Sequence, residues 1–364
     1  MVEICRQGTE EKMDNNCAGT TYVEIANTPV GPGFPTYIIA EMSANHGGDF
    51  NRAVDIIHAA KEAGADAVKL QTYTADTLTL DSDKPPFFIE GGPWGGQTMY
   101  QLYQAAFTPW EWHPRLAKIA DDLGITLFSA PFDLTSVDFL EEMNVPAYKI
   151  ASYELIELRL IEKVAATGKP VIMSTGEATL AEIDEAVRTA LNAGAGGVVL
   201  LKCTSAYPAP PEEMNLRTIP HLQQSFGVPV GLSDHSLGIG ASIAAIVLGA
   251  SVIEKHFTLD DDLKTPDSFF SMGQAEFKSM VKEIRCTEKS LGGVKYATFP
   301  NPSRRSLYAI RDIKPGEHFS NTNVQSLRPG GDGLLPRFYS LIEGRRALFD
   351  IRKGTAIRWE HVGS

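Results

Sequence analysis

The chain has 364 residues, of which 43% are hydrophobic and 21% charged, with 32 glycines and 22 prolines. That is globular composition for one large domain, or a large and a small one, and it excludes a disordered, collagen-like or coiled-coil chain. A formal charge of −12 excludes a general nucleic-acid binder.

The first residues, MVEICRQGTEEKMDNNCAGTT, carry no apolar signal-peptide core and read as a loose tail over 1–30. Cys5, Cys17, Cys203 and Cys286 form no C-x-x-C pair, which points to a reduced, cytoplasmic protein. No apolar run reaches the ~18 residues of a membrane span, so no membrane partner is expected.

Eight short runs then recur between helical patterns: Tyr37–Glu41, Ala67–Gln71, Thr126–Ala130, Tyr148–Ser152, Val171–Thr175, Val198–Cys203, Val230–Asp234 and Val252–Phe257. They are near-continuously apolar, as strands of a buried parallel sheet are. Several are entered through a glycine (Gly64, Gly124, Gly168, Gly227, Gly249) that suits the left-handed end of the preceding helix. Residues 51–63 are amphipathic, and Thr179 with Glu182 forms a capping box ahead of a helix over 180–192. The rhythm predicts an α/β chain with a (β/α)8 TIM barrel over 31–291; a doubly wound open sheet is the alternative. No G-x-G-x-x-G follows the first strand, so the usual dinucleotide site is absent. The long insertion Thr72–Pro109, with GGPWGG, reads as a lid on the active-site face or as a packed surface loop. Residues 292–303 read as a linker, and 304–364 as a small β-rich domain.

In a barrel, catalytic residues sit at the carboxyl ends of the strands. Polar residues cluster there: Glu41, Lys69, Gln71, Ser129, Lys149, Ser152, Ser174, Lys202, Ser205, Asp234, His235, Glu254 and His256. Lys69, Lys149 and Lys202 inside buried-looking strands are costly unless paired. Three at one mouth, among serines, predict an anion site for phosphate or carboxylate. A Schiff-base lysine is the rival chemistry. His235 and His256 end adjacent strands ~4.8 Å apart, close enough for two imidazoles to hold one divalent ion and leave positions open for substrate.

The segments IIAEMSANHGG, AGADAVKLQT, YKIAS, STG, KCTSAYP, GLSDHS and GASVIEKHFTLD together resemble the sialic (nonulosonic) acid synthase family. The C-terminal RRSLYAIRDIKPGE and LRPGGDGLLP resemble its antifreeze-like (SAF) domain. Within the family, QTYTADTLTLDSDK, the GGPWGG insertion with LYQAAFTPWEWH, and SAPFD are most similar to the pseudaminic acid synthase branch. Asparagine is usual in sialic acid synthases where this chain has Ser205, and threonine where it has Ala130, which agrees with that branch.

The resemblance implies an enzyme that condenses phosphoenolpyruvate with an amino-sugar aldehyde, with N-acetylneuraminic or legionaminic acid synthesis as the alternative. It implies a metal at His235 and His256, Mn²⁺ in first place and Mg²⁺ or Co²⁺ as alternatives, with Glu41 near the reacting carbons. Lys69, Lys149, Ser152, Ser174 and Ser233 match positions around phosphoenolpyruvate, and Ser129 and Ser205 are placed with them. Gln71, Tyr207 and Asp267 match sugar-contacting positions. Arg328 matches the arginine that a SAF domain offers to its partner in a domain-swapped homodimer. Residues 304–364 carry 11 Lys/Arg against 6 Asp/Glu, and the rest 22 against 39, so a basic module is suited to docking on an acidic barrel.

Overall fold

The computed structural model describes residues 21–260, 263–296 and 304–364. Residues 1–20 of the tail expected over 1–30, with Cys5 and Cys17, and the linker residues 297–303 lie outside them. The chain divides into two compact units, Met1–Gly292 and Gly293–Ser364.

In the first unit, eight strands form a closed parallel barrel. They are β1 (Tyr37–Glu41), β2 (Ala67–Thr72), β3 (Thr126–Pro131), β4 (Tyr148–Ile150), β5 (Val171–Ser174), β6 (Val198–Cys203), β7 (Val230–Asp234) and β8 (Val252–His256). Each pairs with the next, and β8 returns to β1. Strand β4 stops two residues before its predicted end because the chain turns into a 3-10 helix over Tyr153–Ile156.

Helices α1 (Phe50–Ala63), α2 (His113–Leu123), α3 (Leu134–Glu142), α4 (Leu158–Ala165), α5 (Leu180–Asn192), α6 (Thr218–Phe226), α7 (Gly240–Val247) and α8 (Gln274–Leu291) follow the strands in turn. The capping box at Thr179 and Glu182 is formed as the sequence predicts. Gly64 and Gly124 end α1 and α2 with φ of 92° and 66°, a conformation that a Cβ would strain.

The period-two alternation of the strands divides the core. Outward residues such as Ile38, Val68, Leu70 and Leu200 pack with the helices. Inward residues Tyr37, Ile39, Phe128, Ile172, Val199 and Val252 fill the barrel. Each fully buried aliphatic side chain contributes roughly 1.5–3 kcal/mol. The inner cluster also takes in Val23, Ile25 and Val30 from an antiparallel hairpin, Val23–Ile25 with Thr28–Val30. The expected tail over 1–30 is therefore shorter. Residues 23–30 belong to the fold, because Val23 and Ile25 alternate inward around a tight turn at Ala26 and Asn27, with φ of 48° and 63°.

The insertion carries helices Ala75–Leu78 and Met99–Ala106 and a two-stranded ribbon, Phe88–Ile89 with Gln97–Thr98. In the second unit, β9 (Ser306–Ala309) pairs antiparallel with β10 (Val324–Leu327) over a core of Leu307, Ile313, Phe319, Ile342, Ile351 and Ile357. No helix among the described residues is long and apolar enough to cross a membrane.

Candidate active site

The alternation that buries Tyr37 and Ile39 inside the barrel sends Glu41 inward at the end of β1. Register then sets its neighbours: Glu41 stands opposite Lys69 of β2 and His256 of β8, and Ser233 of β7 stands opposite Glu254 of β8. Lys69 Nζ lies 2.8 Å from Glu41 Oε2 and 3.6 Å from Glu254 Oε2. Lys149 Nζ lies 3.3 Å from Glu254 Oε1, which also accepts from Ser233 Oγ at 3.1 Å. Two cations and two carboxylates thus share one buried site, which offsets a desolvation cost that any of them alone would carry.

The two carboxylates are driven apart. Burial pushes Glu41 up to about 7, more than Lys69 pulls it down. Burial also works against Glu254, but Lys149 and Lys69 outweigh it and hold its carboxyl below the usual range. Burial lowers Lys69, yet Glu254 and Glu41 keep it above its ordinary value; Lys149, more weakly paired, is held below by burial. Glu254 is therefore a fixed anion, while Glu41 exchanges its proton near neutral pH.

Beside this network the rings of His235 and His256 lie 5.3 Å apart, centre to centre. His235 Nδ1 is 2.9 Å from the carbonyl of Thr204, so Nδ1 carries the proton and Nε2 keeps a free lone pair. His256 Nδ1 is buried with no hydrogen-bond partner and stands 4.0 Å from Asp267 Oδ2. Burial, with His235 and Lys69 nearby, holds His256 well below the usual imidazole range and therefore neutral. With His235 Nε2 and His256 Nδ1 free of hydrogen bonds, the two imidazoles fit a divalent ion. No group of three or more His, Cys, Asp or Glu able to hold an ion occurs among the described residues.

Hydroxyls gather where β4, β5 and β6 end. Ser152 Oγ accepts from the N–H of Gly176 at 3.1 Å. The hydroxyls of Ser174 and Ser205 are buried without partners. A Cβ on Gly176 would stand 2.2 Å from Ser205 Oγ and 2.8 Å from Ser152 Oγ, so only glycine lets these groups approach. Unsatisfied buried hydroxyls suit an oxyanion.

On the other side, Gln71 Nε2 donates to Glu41 Oε1 at 2.9 Å and to Ser43 Oγ at 3.0 Å. Ser43 Oγ donates to Asp267 Oδ2. The Tyr207 ring lies 4.4 Å from His235 and 5.0 Å from Phe270. Polar atoms and aromatic faces alternate here, as they do around a sugar.

The model of the NeuB family matches residues 56–296, and that of the SAF domain matches 304–363. The chain belongs to the NeuB family. It is 46% identical to a pseudaminic acid synthase of Campylobacter jejuni over 327 residues, covering 88% of this chain and 95% of that one. It is 45% identical to a pseudaminic acid synthase of Helicobacter pylori over 334 residues, covering 90% and 98%. Among solved structures it is similar to the spore coat polysaccharide biosynthesis protein SpsE of Bacillus subtilis, with a TM-score of 0.66 and 36% identity over 94% of this chain and 99% of that one.

In this NeuB-family chain, Glu41, Lys69, Gln71, Lys149, Ser152, Ser174, Ser205, Tyr207, Ser233, His235, His256 and Asp267 lie towards the carboxyl end of the barrel strands or in the loops that follow them. Ser129 does not join them. Phe128 takes the inward position of β3, so Ser129 points to the helix layer, where its Oγ is 2.6 Å from Thr72 Oγ1. Lys202 likewise alternates outward and donates to Cys203 O and Thr204 Oγ1, leaving two converging lysines rather than three. Asp234 faces α7, bonded to Ser242 Oγ at 2.7 Å and Lys255 Nζ at 3.0 Å, and stands apart from the imidazoles. Arg328 is exposed in the second unit, directly after β10.

Four NeuB-site residues escaped the sequence reading or were undervalued by it. Glu254, named there only in the list of strand-end polar residues, is the common counter-ion of both lysines. Ser43 anchors Asp267. Gly176 admits the hydroxyl cluster. Glu154, in the 3-10 turn after β4, is a buried carboxyl with an unpartnered Oε2, pushed up to about 7 by burial. Its place two residues after Ser152 in YKIASYE was the available signal.

Proposed function

We propose that the chain is a pseudaminic acid synthase, which condenses phosphoenolpyruvate with 2,4-diacetamido-2,4,6-trideoxy-L-altrose and water to give pseudaminic acid and phosphate. The observation that carries the reaction class is the buried Glu41–Lys69–Glu254–Lys149 network beside two imidazoles with open lone pairs. The choice of sugar rests on the 45–46% identity to relatives of that name along 88–90% of the chain. N-acetylneuraminic or legionaminic acid synthesis is the neighbouring reading, and Ser205 and Ala130 weigh against the former. A Schiff-base aldolase is disfavoured, because both barrel lysines are engaged by carboxylates.

In this reading Lys149, Ser152, Ser174, Ser205 and Ser233 hold the phosphate and carboxylate of phosphoenolpyruvate, with Lys69 completing the positive surface. His235 and His256 would hold a divalent ion, Mn²⁺ favoured, which would supply Lewis acidity toward the sugar aldehyde. Gln71, Tyr207 and Asp267 orient the open-chain sugar so that its C1 faces C3 of the enol. The C3–C1 bond forms, the aldehyde oxygen takes a proton, and C2 gains cationic character. Glu41, ionised near neutral pH, accepts a proton from the water that adds to C2. The tetrahedral adduct then loses phosphate with cleavage of its C2–O bond, and C2 becomes the ketone of the product. We further place Arg328 at the barrel of a partner subunit in a homodimer, and the enzyme in the cytoplasm.

Phosphoenolpyruvate carrying ¹⁸O in its bridging oxygen tests this chemistry. The label is expected in phosphate. Label retained in the sugar acid, or no phosphate released at all, overturns the proposal.

A further inference from the structure

The 72–109 insertion ends its ribbon in a glycine-flanked tip, and that tip presents Trp94. Gly92 and Gly96 have φ of 76° and 88°, and a Cβ on Gly95 would meet the Gly91 backbone at 3.0 Å, so the turn depends on glycine. Gly96 N donates to Ile89 O at 2.8 Å, and Gln97 Nε2 to Trp94 O at 3.1 Å, which fix the tip. Trp94 is half-buried although its glycine neighbours are exposed. Its Nε1–H donates to the carbonyl of Pro266 at 2.8 Å. Its ring meets the Tyr207 ring at 5.7 Å and the Phe269 ring at 5.8 Å, both edge-on.

Pro266 immediately precedes Asp267, and Tyr207 packs on His235. The indole thus ties the insertion to both groups that bound the sugar end of the site. Phe270, 3% exposed, continues the same surface and packs on His256 at 4.6 Å. Trp94, Tyr207, Phe269 and Phe270 form an apolar aromatic wall. Such a wall receives a methyl group without loss, whereas a hydroxymethyl group there must shed water with no partner in return.

We propose that Trp94 is a positioning residue that completes this wall and sets Asp267, and that it gives the enzyme its preference for a 6-deoxy amino sugar. The proposal rests on the synthase reading above and deepens it. An apolar pocket discriminates against an added hydroxyl by ~10²-fold at most, which sets the expected scale.

The test is phosphate release by the full chain with the 6-deoxy diacetamido sugar and its 6-hydroxy analogue of the same configuration, for the unmodified protein, Trp94→Ala and Trp94→Phe. The unmodified protein is expected to prefer the deoxy sugar by ~10–100-fold in kcat/KM. Trp94→Ala brings that ratio within ~3-fold and raises the sugar KM at least ~10-fold, while the phosphoenolpyruvate KM, which reports an intact barrel, stays within ~2-fold. Trp94→Phe keeps a ring and loses the donor to Pro266, so it retains the preference but raises the sugar KM. An unchanged preference in Trp94→Ala, or both KM values rising together, overturns the proposal. If Trp94→Ala fails to fold, an unchanged sugar KM in Trp94→Phe overturns it. No phosphate release from either sugar by the unmodified protein defeats the synthase reading and this proposal with it; release with a preference indifferent to Trp94 defeats this proposal alone.

Discussion

Lys69 Nζ forms an ion pair with Glu41 Oε2 at 2.8 Å, and the same ammonium stands 3.6 Å from Glu254 Oε2. One lysine thereby links two carboxylates of opposite tendency, Glu254 held ionised and Glu41 pushed up to about 7 by burial. This separation lets one group fix charge while the other moves a proton. Glu41→Gln keeps the shape and loses the proton carrier. It is expected to lower kcat by ~10²–10⁴-fold and to leave the phosphoenolpyruvate KM within ~3-fold, measured by initial rates of phosphate release. A loss confined to KM contradicts the role.

Gly176→Ala places a methyl group 2.2 Å from Ser205 Oγ and 2.8 Å from Ser152 Oγ. The expected result is a phosphoenolpyruvate KM raised at least ~10-fold, with the sugar KM little changed. Adding Ser205→Ala removes the nearer atom, so the double variant should recover part of the loss. Strict additivity of the two single variants would show that the residues do not share one subsite.

His256 Nδ1 is a buried nitrogen without a partner, and His235 is held with Nε2 free. Chelation is expected to abolish turnover, and added Mn²⁺ to restore it. His256→Ala and His235→Ala should be inactive at any Mn²⁺ concentration while still folded by circular dichroism. Full activity in a chelated sample contradicts the ion.

The fold was legible because buried parallel strands are apolar on both faces and their helices carry capping signals, as at Thr179 and Glu182. The charged half of the site was legible because a lysine within such a strand has no reason to be there unless it is paired, and Lys69 and Lys149 are. What a strand-end list misses is direction. Lys69 and Gln71 point in with Ala67, whereas Ser129 follows an inward Phe128 and points out. Lys202 and Asp234 fail for the same reason, since one step along a strand changes the face. Glu154 and Trp94 were hidden differently. A 3-10 turn folds Glu154 back into the protein, and Trp94 acts on Pro266 across 172 residues of chain. The hairpin at 23–30 was visible as alternation but too short to stand out beside the long N-terminal segment.

Two further buried histidines, His46 and His113, give a stability prediction. His46 Nε2 is 3.1 Å from Thr108 Oγ1, and His113 Nε2 is 2.9 Å from Thr72 Oγ1. Burial lowers each from 6.5 to about 4. Between those values the unfolded chain binds more protons than the folded one, so each histidine withdraws stability as pH falls from 6.5 toward 4, about 3 kcal/mol in full. Glu41 and Glu154, raised from 4.5 to about 7, act with the opposite sign over that window. The test is therefore a difference: thermal melts of His113→Gln and the unmodified chain from pH 7.5 to 4.5 should converge as pH falls. Parallel curves would show that His113 does not withdraw stability as pH falls.

The proposed activity is that of a phosphoenolpyruvate-dependent synthase specific for the altrose-configured diacetamido sugar. It is tested by kcat/KM for phosphate release with Mn²⁺ across three amino sugars: 2,4-diacetamido-2,4,6-trideoxy-L-altrose, the diacetamido sugar that gives legionaminic acid, and N-acetylmannosamine. Release with the first is expected at least ~10-fold above either of the others. A preference for another sugar, or release of no phosphate from any, contradicts it.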